Sequence, residues 1–427
     1  MNLEVEHFSW GYFLLAGLLT ILPFFWVMRR TLREKLYVLP FVAFFFIYSG
    51  VGVAWEGCRK DYLIFYVLWM FAFSYTVFLS MGRKKYATIE GVHSAHTSGI
   101  IKHADLFIIV YFLIELASLA SKGKLLNLIS PPSPDLLGAV GEGTSGGGGG
   151  ILYYLSHIFF IFYFVSLYKY RNKALKLFVL LFLPFYINYA GSAYLARSTV
   201  MAYLIIYVIA VYYYNPKLRK KIRYSVFIGL PVLLVGLSFY TFIRLGHEIN
   251  ISASDAIGLL AFQETSYPSH FTVMEKMPEN TDLLGDYFQW LITLPLPGFL
   301  KDQSKDYFFN AIFTERLYGI YRGEMGFSVA LPGIVNESIF IFGKWMYIFH
   351  AIILGLFVGI TYRLVRYKEE FFLFLYVSVY LASVLARAGT VSAYSMYLKD
   401  LLVYEIVMLF ILYNKRHKKN IHNKSVV

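Results

Sequence analysis

Apolar stretches of about twenty residues recur along nearly the whole chain, and the connections between them are alternately crowded with Lys and Arg and almost free of them. A run of that length spans the roughly 30 Å hydrocarbon layer as a helix. The pattern therefore predicts an all-α, polytopic integral membrane protein. It also carries an orientation, because basic residues gather in the short connections on the cytoplasmic side.

Hydropathy places spans near 8 to 28, 36 to 55, 62 to 81, 106 to 121, 151 to 168, 177 to 190, 198 to 214, 225 to 243, 338 to 362, 370 to 386 and 397 to 413, about 11 transmembrane helices. The basic clusters Arg29 to Lys35, Arg83 to Lys102, Lys169 to Lys176, Lys217 to Arg223, Arg363 to Lys368 and Lys415 to Lys424 follow every second span. Together they hold 25 of the 39 Lys and Arg residues. This predicts the N-terminus outside and the C-terminus inside. The first stretch has no basic segment before it and runs into RRTLREK where a cleavage site would need small residues, so it is expected to stay as the first helix. Spans six and seven are short and joined by NYAGSAYLARST, a pattern that also fits two half-length helices around a buried loop.

Composition narrows the function classes. With 58% hydrophobic, 19% aromatic and only 15% charged residues, the bilayer is most of the solvent. The formal charge of +13 sits in the cytoplasmic connections facing an anionic leaflet and implies no nucleic acid partner. A single cysteine, Cys58, excludes an internal disulfide framework and a cysteine-rich metal site. No nucleotide-binding motif is present, and no cofactor is implied. Energy is expected from an activated lipid substrate or from a gradient.

The chain reads as a single membrane domain, 1–427, whose outer face owns four irregular segments. Residues 121–150, with prolines and the run Gly146 to Gly150, read as a flexible Gly/Pro-rich connector; no P-loop Gly-Lys-Ser/Thr follows it. The turns holding Arg197 and Arg387 are short. The dominant segment is the external loop 245–336, too apolar for a disordered linker and long enough to expect function. Within it, Leu283, Leu284, Tyr287, Phe288, Leu291 and Ile292 recur at helical spacing before Pro295 and Pro297, predicting an amphipathic helix at the outer interface or packed over the bundle.

The most specific string is MGFSVALPGIVNESIFIFGKW, residues 325 to 345. Gly326, a Ser-and-Pro stretch, and Glu337 five residues before Phe342-Gly343 at the mouth of a membrane helix resemble the Wzy-type oligosaccharide repeat-unit polymerases of bacterial O-antigen, capsule and exopolysaccharide pathways. The layout of about eleven spans with one dominant late external loop, the Arg197 turn and Arg244 just outside span eight is similar too. The resemblance implies a membrane glycosyltransferase in the bacterial cytoplasmic (inner) membrane, expected to be metal-independent because the chain shows no cation-binding motif. It would transfer a growing glycan from undecaprenyl diphosphate onto the next lipid-linked repeat unit, alongside a chain-length regulator and a flippase of the same pathway.

Such a transfer needs positive charge at the diphosphate and a base by the acceptor hydroxyl. Arginine suits the first task because its planar fork binds phosphate oxygens bidentately. The candidates on the outer side are Arg197, Arg244, Arg316, Arg322 and Arg387; each also fits a snorkelling residue or a salt bridge with a loop carboxylate. Candidates for the base are Glu337, Glu324, His270 and Asp286, with Glu337 equally suited to capping helix amides. The related O-antigen ligases carry a histidine near the place of Leu331 to Asn336, where this chain has none. Glu4, Glu6, Glu56 and Asp61 include no Asp-X-Asp and no adjacent pair of the kind that holds a divalent cation, Glu4-X-Glu6 near the start of the chain being the one exception, and His93, His96 and His103 lie in a basic loop without nearby Cys or acidic ligands, so no metal site is expected. A flippase for the same lipid-linked sugar is the rival class, though the unequal loops show no internal repeat.

Overall fold

A computed structural model of the chain describes residues 8–25, 30–55, 58, 61–82, 99–132, 151–192, 197–244, 258, 261–262, 264–266, 283–294, 309–321 and 330–410, and the statements below concern these. The described residues are helical apart from short connections and one isolated backbone bridge between Phe8 and Trp55. In chain order the helices are α1 (Trp10–Phe24), α2 (Leu32–Ala54), α3 (Asp61–Ser80), α4 (Ala104–Ser121), α5 (Ile151–Ser166, continued by the tight turn Leu167–Tyr170), α6 (Ala174–Ser192), α7 (Arg197–Tyr214), α8 (Arg219–Arg244), α9 (Leu283–Thr293), α10 (Phe309–Tyr318), α11 (Ile334–Val365) and α12 (Lys368–Phe410).

Where they are described, the eleven expected spans are helical. Among the described residues six helices are long and apolar enough to cross a membrane, seven if the bent pair formed by α7 and the start of α8 counts as one span, and α1 and α5 are shorter apolar helices. The protein is thus a multi-pass helical membrane protein. Around NYAGSAYLARST, α6 runs 19 residues to Ser192, longer than a half-length helix, and α7 starts at Arg197 and runs 18 residues before a bend of 113° into the start of α8. Pro184 sits inside α6 without ending it, as membrane helices tolerate.

Two of the long helices are broken, and hydrogen bonds show how sharply. Tyr376 and Asp400 would stand about 36 Å apart along a straight helix, yet the Tyr376 hydroxyl donates to Asp400 Oδ2 at 2.6 Å. Tyr404 likewise reaches back to Glu370 at 2.5 Å. So α12 is a hairpin of two arms, 368–388 and 390–410, reversing at Gly389, where φ is +82° and ψ −177°. In α11, Ser338 and His350 would be about 18 Å apart on a straight helix but approach to 2.8 Å. Its reversal is at Gly343, φ +73° and ψ 171°. Both glycines occupy a backbone region that side-chain-bearing residues essentially never adopt. A short arm, 334–342, thus folds back on the long arm, 344–365.

The long arm of α11 packs on α3 along GLFVG, residues 355 to 359. Ser80 Oγ lies 3.2 Å from the Gly355 carbonyl, and a Cβ on Gly355 would stand 2.8 Å from the Phe73 carbonyl oxygen. Small residues four apart let two membrane helices approach to backbone contact. The two helices run parallel, since Phe65 meets Tyr347 at one end and Ser80 meets Gly355 further on. Around them Trp69, Phe45 and Phe73 form a buried aromatic stack with centroids 4.9 to 5.2 Å apart. The hairpin α12 is the centre of the bundle, 78% of its apolar window being buried against 22% for the peripheral α4.

Helix ends sort into two faces. At one, Phe8 pairs with Trp55, the Trp55 indole donates to Thr265 at 3.0 Å, Asn310 Nδ2 donates to the Ala388 carbonyl and Lys124 to the Gly191 carbonyl. At the other, Arg30 donates to the Gly82 and Phe78 carbonyls, Arg33 to the Tyr367 carbonyl and Asn215 to the Arg171 carbonyl. The second face gathers the ends beside the basic clusters, and the first gathers the ends beside the long loop, as the charge pattern requires.

Candidate functional site

The two breaks face each other, and Glu337 joins them. This residue lies on the short arm of α11, 1% exposed. Its two carboxylate oxygens accept from the Thr390 N–H at 2.8 and 3.2 Å. Thr390 opens the second arm of α12, whose first amides have no helical partner, and an acidic group there is favoured both by the hydrogen bond and by the helix dipole. Glu337 thus caps a helix, but not the one it belongs to. Only glycine fits opposite it: a Cβ on Gly389 would stand 2.9 Å from Glu337 Cδ and inside the contact distance of Oε2.

Beside this cap lies His350, 1% exposed, which sequence reasoning passed over. Its Nδ1 meets Ser338 Oγ at 2.8 Å, and its Nε2 meets the Tyr287 hydroxyl at 3.2 Å and Thr390 Oγ1 at 3.1 Å. Ser338 also accepts from the Trp69 indole N–H at 2.9 Å and approaches the Ile334 carbonyl at 2.8 Å. A hydroxyl has one proton. If Ser338 gives it to Ile334, the imidazole carries its own on Nδ1 and Nε2 accepts from Tyr287 or Thr390; if Ser338 gives it to His350, the roles reverse. Either way the network ties together α3, α9, both arms of α11 and the second arm of α12. A lone histidine in the apolar run FHAIILGLF was the available signal, since an ionisable group at that depth is costly without partners.

Helix α9 closes the site from outside the bundle. Tyr287 points in and is buried, while Asp286, Phe288 and Ile292 are exposed. Burial, and then the Glu337 carboxylate, hold the Tyr287 hydroxyl well above its ordinary titration range, so it stays a donor. Phe342 stacks on the His350 ring at 4.7 Å, and Tyr287 meets both rings edge-on. The amphipathic helix expected here therefore exists, and its buried side packs over the short arm of α11.

At the rim, three residues before Thr390, stands Arg387. Its Nε and Nη2 donate to the two oxygens of Glu264 at 3.0 and 3.1 Å, a bidentate pair, and Nη1 lies 3.4 Å from Ser198 Oγ. Ser198 follows Arg197 at the start of α7. Two candidate arginines are thereby brought to one place by backbone position, and Glu264 is added to them from the long loop. No sequence motif marks Glu264 among the carboxylates of the long loop.

Arg316 is exposed on the last turn of α10. Arg244 ends α8, and the side chains of Arg197 and Arg244 lie outside what the structure describes, as do His270, Arg322 and Glu324 altogether. Among the described residues no three His, Cys, Asp or Glu side chains converge as metal ligands would. Comparison with protein-family models, with curated proteins and with solved structures finds no match to this chain.

The arrangement has two layers of chemistry. The rim offers a planar guanidinium fork whose bound carboxylate stands where two oxygens of a phosphate would stand, since each anion can present a pair of oxygens to it. The buried layer, sealed by Phe342 and Tyr287, fixes the geometry of the two reversals on which the rim is mounted.

Proposed function

We propose that the chain is a membrane glycosyltransferase that polymerises undecaprenyl diphosphate-linked oligosaccharide repeat units at the outer face of a bacterial cytoplasmic membrane, crossing it eleven times with its N-terminus outside and its C-terminus inside. The observation that carries the reading is the meeting of Arg387, the start of α7 at Arg197 and Glu264 at the rim above Gly389. In the proposed reaction the diphosphate of the donor replaces Glu264 on Arg387, with Arg197 and Arg244 adding charge. The freed Glu264 carboxylate accepts the proton of the acceptor hydroxyl. The sugar oxygen then bonds the anomeric carbon as the bond to the diphosphate breaks, and the lipid diphosphate leaves. Glu337 and His350 position the rim through the two helix breaks.

Segment 325–345, similar to the repeat-unit polymerases, supports the same reading. So does the external position of loop 245–336 that the basic pattern implies. The test is direct. Purified protein given only undecaprenyl diphosphate-linked repeat units makes a ladder of longer lipid-linked glycans, without nucleotide and with EDTA present. Arg197→Ala or Arg244→Ala removes the ladder at unchanged protein level. A product of unit length only, with or without divalent cation, refutes polymerisation.

One observation favours a second reading. Discontinuous membrane helices whose broken ends face each other are the usual way transporters build a substrate site inside the bilayer, and α11 and α12 are broken in that manner. A lipid-linked oligosaccharide flippase would move the substrate across sealed vesicles without lengthening it, so the same substrate separates the two.

A further inference from the structure

A second site lies at the opposite face, between the ends of α11 and α12. An open cleft is lined by Arg363 and Leu364 from the end of the first, by Tyr367 from the turn that follows it, and by Tyr404, Glu405, Met408 and Leu409 from the second. Arg363 lies beside Gly82, whose carbonyl takes Arg30, so the cleft belongs to the face of the basic clusters.

Its polar end holds one unspent group. Glu405 is 5% exposed. Its Oε2 accepts from the Tyr397 hydroxyl, but Oε1 is buried with no hydrogen-bond partner. The neighbouring phenol cannot serve it, because Tyr404 spends its single proton on Glu370 Oε1 at 2.5 Å. A buried carboxylate oxygen without a donor is costly, and a cation supplied from outside removes that cost. Arg363, on the opposite wall and exposed, offers a fork suited to a phosphate.

The apolar end continues outward along the lipid-facing side of α11. Phe349, Ile353, Leu356 and Ile360 are exposed at spacings of three and four, which puts them on one stripe leading from mid-helix to Leu364. A ligand that fits has an ammonium, a phosphate a few bonds away and hydrocarbon chains that lie along such a stripe.

We infer that this cleft binds a zwitterionic aminophospholipid of the adjoining leaflet, with its phosphate on Arg363, its ammonium on Glu405 and its acyl chains along the α11 stripe. The site is independent of the glycan-transfer reading, being on the other face. The test is native mass spectrometry of the full-length protein released from nanodiscs of equal phosphatidylethanolamine and phosphatidylglycerol content, with thermal unfolding of the same samples as a second readout. Wild type retains phosphatidylethanolamine at least tenfold over phosphatidylglycerol. Glu405→Gln, nearly isosteric, brings the two lipids to within twofold, and Arg363→Gln weakens both. Phosphatidylethanolamine raises the unfolding temperature of wild type and not of Glu405→Gln, which keeps the result readable if the variant is merely less stable. Equal retention of the two lipids by wild type, or unchanged selectivity in Glu405→Gln, overturns the assignment.

Discussion

Replacing Gly389 by alanine tests the central claim that the two helix breaks are one unit. At φ +82° and ψ −177° an alanine is held in a nearly forbidden region, at a cost of about 1 to 3 kcal/mol. Its Cβ would stand 2.9 Å from Glu337 Cδ, so the carboxylate must leave the Thr390 amide, and losing a buried bond to a charged group costs about another 1.5 to 3 kcal/mol. The expected destabilisation is therefore about 2.5 to 6 kcal/mol, the sum of two separable effects. A double-mutant cycle with Glu337→Ala separates them, because removing the carboxylate relieves the overlap and leaves only the backbone strain. The assay is reversible unfolding of purified protein in bicelles or detergent. The double variant should be more stable than the sum of the single losses allows, by about 1.5 kcal/mol or more. Additive losses, or a Gly389→Ala cost under about 1 kcal/mol, refute the claim that Gly389 is kept by the Glu337 contact.

Three further outcomes are expected. Arg387→Lys keeps the charge but loses the bidentate fork, so it should recover little of the glycan ladder lost in Arg387→Ala; full recovery would mean that Arg387 acts only as a point charge. Cysteines placed at residues 140 and 280 in a Cys58→Ser background should react with an impermeant reagent from outside, and those at 95, 220 and the C-terminus should not; a protected residue 280 removes the basis for an external rim. Gly359→Leu should separate α3 from α11, since a Cβ there already stands 2.7 Å from Ser80 Cβ, and the expected loss is the overpacking cost of about 1 to 3 kcal/mol. A neutral Gly359→Leu by the same unfolding assay would contradict the close parallel packing.

Span positions were legible because a membrane helix must be both long and apolar, and no local detail is needed to see it. The sorting of ends was legible for a similar reason: the basic clusters mark one face, and Arg30, Arg33, Arg171 and Arg363 all lie there. Glu337 could be singled out as a carboxylate beside a helix start, and its capping role read in general terms. Its partner could not. Thr390 lies 53 residues further on, and nothing local in either segment names the other. Glu264 and Arg387 are 123 residues apart and were hidden for the same reason. The two helix breaks differ in this respect: Gly389 falls in the expected turn at Arg387, between the spans 370 to 386 and 397 to 413, whereas Gly343 lies inside the expected span 338 to 362, where a hydropathy window of about 19 residues passes straight through a single glycine.

The breaks also explain how so many polar groups are tolerated in the bundle centre. Glu337, Ser338, His350 and Thr390 would each carry a desolvation cost if placed singly in straight helices. A reversal exposes helix-end amides inside the protein, and those amides need acceptors as much as the side chains need donors. Gly389 frees the Thr390 amide and leaves room for a carboxylate; Gly343 turns the short arm so that Glu337 and Ser338 reach that amide and His350. Each half of the arrangement is unfavourable alone and satisfied only by the other. A substrate that displaced Glu264 from Arg387 would pull on the arm that ends at Gly389, and the pull would be felt first at the Glu337 cap. On the proposed reading, binding at the rim and order in the buried layer would be coupled by three residues of chain, and a Glu337→Gln variant should weaken substrate binding at a rim it never touches.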